Sequence, residues 1–291
     1  MGLIVDITED NIDELKDYLG EDIAENIGRE YYSGLASYDD DDEPAGAVIW
    51  NIHNADSVED AESEIVYFRG DTSGMSEGDE DDELLAEYYT RISCDCVVRS
   101  AFELEDTSES DRKILRESGF SGSETEGRNL YITLGEACSK SFASGKKIPP
   151  YVIPLENLNL LQFRQGITNC MFCGVSGLND DLAMLPMEWY ETGISCCTVA
   201  DGKVNGIFLV HRKPSGILMP VLLYANGLDA KKEMLQMLRF STQAAAERYP
   251  DDTVILICRH DNKTKALASY LFPDQKGKEV FKGERPEGDR E

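Results

Sequence analysis

The chain has 291 residues, 41% of them hydrophobic, and a formal net charge of -28. That length allows two ordinary domains, each with a core of its own. The charge argues against nucleic acid and anionic membranes as partners, since both need a basic surface.

The acid is unevenly spread. Residues 1–150 hold 38 Asp and Glu against 12 Lys and Arg, whereas residues 151–291 hold 18 against 16. An anionic cofactor is repelled by the first half and tolerated by the second, although an acidic face that only serves solubility reads the same way. The start, Met1-Gly2-Leu3-Ile4-Val5-Asp6, lacks the basic segment and long apolar run of a secretory signal. Asp6 stands where a myristoylation site carries Ser or Thr. The longest apolar stretch, near Ile217–Ala225, is too short to span a bilayer, so the expected location is cytoplasmic. In a reducing compartment the eight cysteines serve mainly as small apolar fillers. Cys170-Met171-Phe172-Cys173 is one C-x-x-C pair, and with only His53, His211 and His260 to join it no metal is expected.

In chain order, Leu3–Ile7 reads as a strand, followed by an N-cap at Thr8–Asn11 and a helix carrying Ile12, Leu15 and Leu19. Tyr31–Tyr38, Ala45–Ile52 and Ser63–Arg69 read as strands, with an acidic turn at Asp39–Asp42. Gly70–Asp82 is a loop, Glu83–Ile92 a helix, Cys96–Phe102 a strand, Ser110–Ser118 a short helix and Arg128–Leu134 a closing strand. Residues 137–150, with Ser, Gly, Lys and Pro149-Pro150, have linker composition. Beyond it, Tyr151–Leu155 is a strand, Asn157 precedes a helix through Phe163, and Leu178–Trp189 suggests another. Ile194–Ala200 and Val204–Arg212 form a hairpin about Asp201-Gly202. Gly216–Ala225 is a strand, Ala230–Glu247 a long amphipathic helix, Asp252–Arg259 a buried strand, Lys263–Leu271 a short helix and Glu279–Lys282 a last strand.

The halves superimpose in pattern. Val5-Asp6-Ile7 with Asn11 matches Ile153-Pro154-Leu155 with Asn157, and Ala45–Ile49 matches Asn205–Leu209. A unit this long is a duplicated domain rather than a solenoid repeat. The expected domains are 1–136 and 151–291, joined by the linker at 137–150.

The order strand, helices, three-strand meander, long helix, strand, helix, strand resembles the GNAT N-acetyltransferase superfamily. Three features carry the likeness: the strand-borne glycine in Pro44-Ala45-Gly46 and Val204-Asn205-Gly206, the strand–loop–helix unit Val221–Leu238, and the helix ending in Gly119-Phe120. The resemblance implies an α/β (α+β layered) fold of two tandem domains, each a mixed, mostly antiparallel sheet flanked by helices.

It also implies a site. The family binds the pyrophosphate of acetyl-CoA on a loop of pattern (Gln/Arg)-x-x-Gly-x-(Gly/Ala) before the long helix, where backbone amides face the anion. In the first half that loop is Gly74–Asp82, whose acids would repel pyrophosphate. In the second half it is Ala225-Asn226-Gly227-Leu228-Asp229-Ala230-Lys231-Lys232, with one glycine left. Asn226, Gly227, Ala230 and Lys231 are therefore the cofactor-binding candidates, with Lys231 and Lys232 otherwise plain solvated lysines. The family donates a strand amide to the thioester carbonyl, which points to Leu222–Tyr224, with Leu222 and Tyr224 as its bounds. A tyrosine on the C-terminal helix protonates the leaving thiolate. Its frame, roughly Asn-x-x-Ala-x-x-x-Tyr, falls here on Ala266 and Tyr270, with Lys263 in place of Asn and Asn262 adjacent. Tyr270 is the catalytic candidate and Asn262 a further cofactor contact; the plain alternative for Tyr270 is a half-buried aromatic packed on the sheet. In the first half the frame gives Ser108, Asp111 and Leu115, without a tyrosine. A base for the amine is not evident: Glu188, Glu191 and His211 are possible through water, and a surface strand-end role competes for His211.

Two functions follow from the resemblance. One is acetyl-CoA-dependent N-acyl transfer by the second domain to a small amine or basic peptide, a cationic acceptor suited to the acidic first half. The other is a silent GNAT-fold binding or scaffold protein. The sequence names no oligomeric state.

Overall fold

The computed structural model describes residues 3–27, 32–54, 61–70, 83–145, 147–172, 182 and 185–287. The chain forms two compact units, one of residues 1–127 with 278–291 and the other of residues 128–277. Among the described residues no helix is long and apolar enough to cross a membrane.

The first unit holds strands β1 (Leu3–Asp6), β2 (Ser33–Tyr38), β3 (Pro44–His53), β4 (Glu62–Arg69), β5 (Arg99–Leu104) and β6 (Ser121–Glu126), with helices α1 (Ile12–Leu19), α2 (Glu21–Ile27), α3 (Glu83–Cys94) and α4 (Glu109–Glu117). A last strand, β13 (Glu279–Pro286), joins them from the far end of the chain. The sheet order is β1-β2-β3-β4-β5-β13-β6, with β4 and β5 parallel and every other pair antiparallel. The centre of β3 is buried on both faces because α1 and α2 cover one and α3 the other. Tyr88 of α3 reaches down to both parallel strands: its hydroxyl donates to Ser63 Oγ at 2.8 Å and lies 3.1 Å from Ser100 Oγ. Ser63 and Ser100 are register partners across β4 and β5, so this buried triad stitches the pair together. Burial pushes the Tyr88 phenol far above its ordinary range.

The second unit holds β7 (Asn129–Thr133), α5 (Leu134–Ser139), β8 (Val152–Pro154), α6 (Leu160–Phe172), β9 (Cys196–Ala200), β10 (Lys203–Arg212), β11 (Leu218–Ala225), α7 (Ala230–Ala246), β12 (Val254–Cys258) and α8 (Asn262–Leu271). Its sheet order is β7-β12-β11-β10-β9-β8. Phe163 and Ile167 of α6 pack on one face with Ile207, Leu209 and Leu222. Met237 and Ala245 of α7 pack on the other with Phe208 and Val210. Gly206 lets α7 come down onto the sheet, since a Cβ there would lie 2.8 Å from Thr198 Oγ1 and 3.0 Å from Met237 Cε. Cys196 and Cys197 are buried among these side chains, and burial raises the Cys197 thiol to about 12. Cys173 of the C-x-x-C pair lies outside the described residues, as does the side chain of Cys170.

Two strands are exchanged between the halves of the sequence. Residues 129–133, expected to close the first domain, pair with β12 of the second unit. Glu279–Lys282, expected as the last strand of the second domain, belongs to β13, which inserts between β5 and β6 of the first. The division therefore falls at Gly127/Arg128 and again at Gly277/Lys278, not about a linker at 137–150. Much of that segment is packed: Ala137 and Ala143 are buried, Phe142 meets Phe272 edge-on, and the carbonyls of Phe142 and Ala143 accept from Arg239 Nε and Gln243 Nε2. Local composition reported a break because helix α5 is short. Half of the expected helix at Leu178–Trp189 falls outside the described residues, and within the rest Met187–Trp189 is a single 3-10 turn.

Phe281 anchors β13. It is buried, its centroid lies 5.1 Å from that of Phe102, and Gly122 leaves room for the ring where any Cβ would overlap it. Arg112 and Arg116 lie over the same ring at 5.8 and 5.0 Å. Phe281→Ala should lower stability by roughly 3–5 kcal/mol, measured as a shift of the urea midpoint; a change within error would mean that β13 is not seated as described.

The gap between the parallel strands

The local physics of the candidate site begins with a bulge. Between β10 and β11 the register runs Leu209↔Leu222 and then Val210↔Pro220, so Val221 is an extra residue. A bulge bends its strand and raises its twist. Pro220 sits beside it, where a missing N–H is tolerated. β11 pairs with its parallel neighbour β12 at Leu218↔Ile255 alone among the described residues. Past that point the two strands diverge toward their C-terminal ends. Each stays paired on its outer side, β11 to β10 through Ala225 and β12 to β7 through Cys258. Alternate residues of an antiparallel strand bond to one neighbour, so the remaining amides of Leu222–Ala225 face the open edge. The side chains of Leu222 and Tyr224 pack with the α6 cluster, so a role of this stretch at the gap belongs to its backbone.

Both helices that follow the diverging strands start at the mouth of the gap, and their ends differ. At α8 the Asp261 side chain accepts the Thr264 N–H at 2.6 Å, and Thr264 Oγ1 accepts the Asp261 N–H at 3.1 Å. This capping box satisfies the first turn. Its hydrogen bonds, led by the Thr264 amide, hold the Asp261 carboxyl below the usual carboxylate range. At α7 the N-cap Asp229 makes no side-chain capping bond. The loop ahead of it is exposed from Asn226 to Asp229, Gly227 has φ +95° with open space around it, and Lys231 and Lys232 are exposed. In the first turn of α7 the Ala230 N–H donates to Gly227 O and the Lys232 and Glu233 N–H groups donate to Asp229 O, so backbone carbonyls close this turn while Lys231 and Lys232 bring two ammonium groups to its surface. Asn226 is committed locally: its Oδ1 accepts the Gly227 N–H at 2.8 Å, and its N–H donates to Asn205 O. Ala230 is half-buried and Asn262 exposed.

The first unit repeats the bulge and closes the gap. Val66 is the extra residue there, between Ile49↔Tyr67 and Trp50↔Ile65. β4 and β5 pair over Glu62–Ile65 and Arg99–Phe102, and they part at the bulge. Beyond it Asp111, only 7% exposed in the first turn of α4, spans the opening: its Oδ1 accepts the Gly70 N–H at 2.8 Å and its Oδ2 accepts from Ser108 Oγ. Asp111 holds the position of Thr264, counted from the N-caps Ser108 and Asp261. Thr264 turns back to its own cap, whereas Asp111 reaches the end of β4. The acidic loop at Gly74–Asp82 lies outside the described residues.

No family model matches this sequence, and no curated protein matches it. Solved structures do. A tandem GNAT protein from the clavulanic acid biosynthesis pathway superposes with a TM-score of 0.64 at 8% identity, over 100% of each chain. This chain has the tandem GNAT fold. The GCN5-related N-acetyltransferase from Sphaerobacter thermophilus gives a TM-score of 0.53 at 11% identity over 97% of this chain and 95% of that one. A glucosamine N-acetyltransferase region of a fungal multi-domain β-N-acetylglucosaminidase gives 0.57 at 8% identity, covering 98% of this chain and 38% of that one. At such identities the likeness speaks to the fold alone.

Three expectations about residues in the two units need correcting. The matching burial of α4 and α8 pairs Ile114 and Leu115 with Leu267 and Ala268, so Glu117, not Leu115, stands opposite Tyr270. Counted from the N-caps Ser108 and Asp261, Tyr270 and Glu117 are each the ninth residue on. Tyr270 is not half-buried: it is 74% exposed, on the outward face of α8. His211, in turn, is no surface histidine. It is 5% exposed, its ring is stacked on Trp189 at 3.8 Å, and its Nδ1 lies 2.8 Å from Trp189 O. It pairs with Met219, at the closed end of the strand pair. Glu191 bonds the Tyr249 hydroxyl, which burial and this contact push up to about 12. Sequence gave no sign of Asp111 as a bridge, since a capping residue that reaches out looks like one that turns back.

Asp111→Ala should cost about 1–3 kcal/mol by stranding the Gly70 N–H, and Asp111→Asn, which still accepts that bond, should recover most of it in thermal melts. Asp261→Ala should cost about 1 kcal/mol near neutral pH. Because the native Asp261 pKa is depressed, its contribution is complete above the unfolded value, about 3.9, and fades as pH falls through the lower native value. The difference between wild type and Asp261→Ala should therefore shrink below about pH 4; a constant difference down to pH 2 would contradict the ionised cap.

Proposed function

We propose that this chain is an acyl-CoA-dependent N-acyltransferase that holds its cosubstrate in the second unit and acts on an amine. The observation that carries the reading is the β11–β12 pair, joined among the described residues only at Leu218↔Ile255, with the exposed loop and lysines at the start of α7 following β11. The residues present suit an acyl-CoA. Gly227 leaves open space where a bulky anion approaches the backbone, beside the exposed Lys231 and Lys232 at the start of α7.

Acetyl-CoA would bring the acyl group as an activated thioester. Lys231 and Lys232 add positive charge beside a diphosphate, as point charges rather than a fork. The open-edge amides between Leu222 and Ala225 are the donors for a carbonyl oxygen that gains charge during transfer. Tyr270, exposed on α8, carries the phenol that can return a proton to the thiolate. Asn262, exposed at the start of the same helix, is a polar contact for the chain of the cosubstrate. The first unit takes no acyl-CoA in this reading, because Asp111 already spans its gap with a carboxylate. A cationic acceptor, a small amine or a basic peptide, fits the acidity of residues 1–150.

Calorimetric titration with acetyl-CoA should give one site per chain, and saturation to 100 times Kd should add about 2.7 kcal/mol of stability. Tyr270→Phe should slow turnover about 100-fold or more with Kd little changed. Two sites per chain would refute the closed first gap. Binding without turnover on any amine tested would favour the scaffold reading, to which the loss of all but one loop glycine lends weight. No binding at millimolar acetyl-CoA would sink the acyltransferase.

A further inference from the structure

The cysteines divide by environment. Cys196 and Cys197 are buried, and their thiols donate to the carbonyls of Met237 and Ile153 as small fillers of the second unit. Cys94 and Cys96, at the end of α3 in the first unit, are both exposed. Neither fills a core, although cysteine is among the residue types most often found inside.

The turn that carries them is closed by its own backbone. Past the last residue of α3, the Asp95 and Val97 N–H groups both donate to Ile92 O, at 3.1 and 3.5 Å. Ile92 and Val97 are buried in one cluster, so the chain is pinned on either side of the pair. In such a helix stop one residue takes a left-handed conformation, a place that favours glycine and sometimes asparagine. Here that residue is Cys96, with φ +56°. The chain thus keeps a thiol where the backbone favours having no side chain.

The left-handed residue also changes what the second thiol can reach. In a regular helix, residues two apart do not face each other. Relative to a helical φ of about −63°, the value at Cys96 swings its Cβ by roughly 120° about N–Cα, out of that opposition. On helical geometry α-carbons two residues apart are about 5.4 Å apart, within the roughly 4.4–6.8 Å that a disulfide spans. In the reduced pair the Cys94 thiol donates to Thr90 O at 3.6 Å.

We infer that Cys94 and Cys96 form a reversible thiol–disulfide exchange site, which closes into a short ring with a small-molecule disulfide as the oxidant. One cysteine, deprotonated, attacks a sulfur of the small disulfide and releases one thiol; its neighbour attacks the mixed disulfide and releases the second. The S–S bond of the small disulfide breaks, a Cys94–Cys96 bond forms, and the two thiol protons leave on the two released thiols. The protein pair loses two electrons and the small disulfide gains them. The second step is favoured because the neighbour is held two residues away on a backbone already turned, so closure orders little chain. The site goes beyond the acyltransferase reading and is independent of what the second unit binds.

The test takes the full chain, reduced and then equilibrated with a glutathione buffer rich in the disulfide form, quenches it in acid and digests it with trypsin. Cleavage after Arg91 and Arg99 isolates residues 92–99, with Cys94 and Cys96 as their only cysteines. That peptide should be lighter by two hydrogens, at about tenfold or more over its glutathione adducts, and excess reduced glutathione should restore both thiols. Cys94→Ser and Cys96→Ser should each carry one glutathione instead. A wild-type peptide found mainly as adducts or as thiols, single variants that take no adduct, or a ring that excess thiol fails to open overturns the inference. Cys96→Gly keeps the left-handed turn without the ring and should melt at or above the wild-type temperature; a lower melting point overturns the inference by showing that the fold itself uses the thiol.

Discussion

A parallel strand pair that shares one register position is a costly thing to build. Each strand forgoes a ladder on one edge, and a backbone amide left without a partner costs about as much as a lost hydrogen bond. The second unit keeps such a pair because each strand is fastened on its far side, β11 to β10 and β12 to β7. The bulge at Val221 sets where the strands part, and Pro220 beside it removes one donor that would otherwise need an acceptor. Everything proposed for the chemistry depends on that opening. The two helices at its mouth start from the diverging ends, so their first turns and the open-edge amides converge on one place. Only α7 leaves its first turn uncapped by a side chain.

The first unit shows what the same sheet does when the opening is closed. The bulge is conserved in position, at Val66, but the strands are stitched below it by Tyr88, Ser63 and Ser100 and bridged above it by Asp111. A buried carboxylate that accepts the amide ending β4 takes up a donor that an anionic ligand would otherwise use. The charge of that half pushes the same way. The two copies differ in what the third residue after the helix cap does: Asp111 reaches the end of β4, whereas Thr264 turns back to its own cap.

Most elements were legible in the sequence because their signals are local. The Asp201-Gly202 turn, the amphipathic run from Ala230 and the apolar run at Val254–Cys258 all lie within a residue or two of their expected places. Helix α2 and strand β6 escaped notice: α2 is short and acidic, and β6, Ser121–Glu126, is an exposed edge strand of Ser, Gly, Thr and Glu with no apolar face to read. The exchange of β7 and β13 was out of reach for a different reason. Leu130, Ile132, Val280 and Phe281 announce strands that need a sheet, and nothing in their own neighbourhood says which sheet. At the site, the loop and Tyr270 were visible as residue types at a spacing. Exposure of Tyr270, burial of His211 and the reach of Asp111 depend on the partner surface, which the local pattern does not contain.

The exchange also bears on why a chain would carry a copy with a closed gap. Without residues 1–136 the second sheet has no β7, so β12 would lose its only antiparallel partner and become an edge strand facing an opening on its other side. Without β13 the first sheet breaks between β5 and β6, at the position where Phe102, Phe281 and Gly122 fill its interior. Each half thus supplies the strand that the other cannot do without. All six strands of the second sheet nevertheless lie within residues 128–277, so the dependence between the units is one-sided: the first sheet needs β13 from beyond the second unit, and the second sheet takes no strand from residues 1–127.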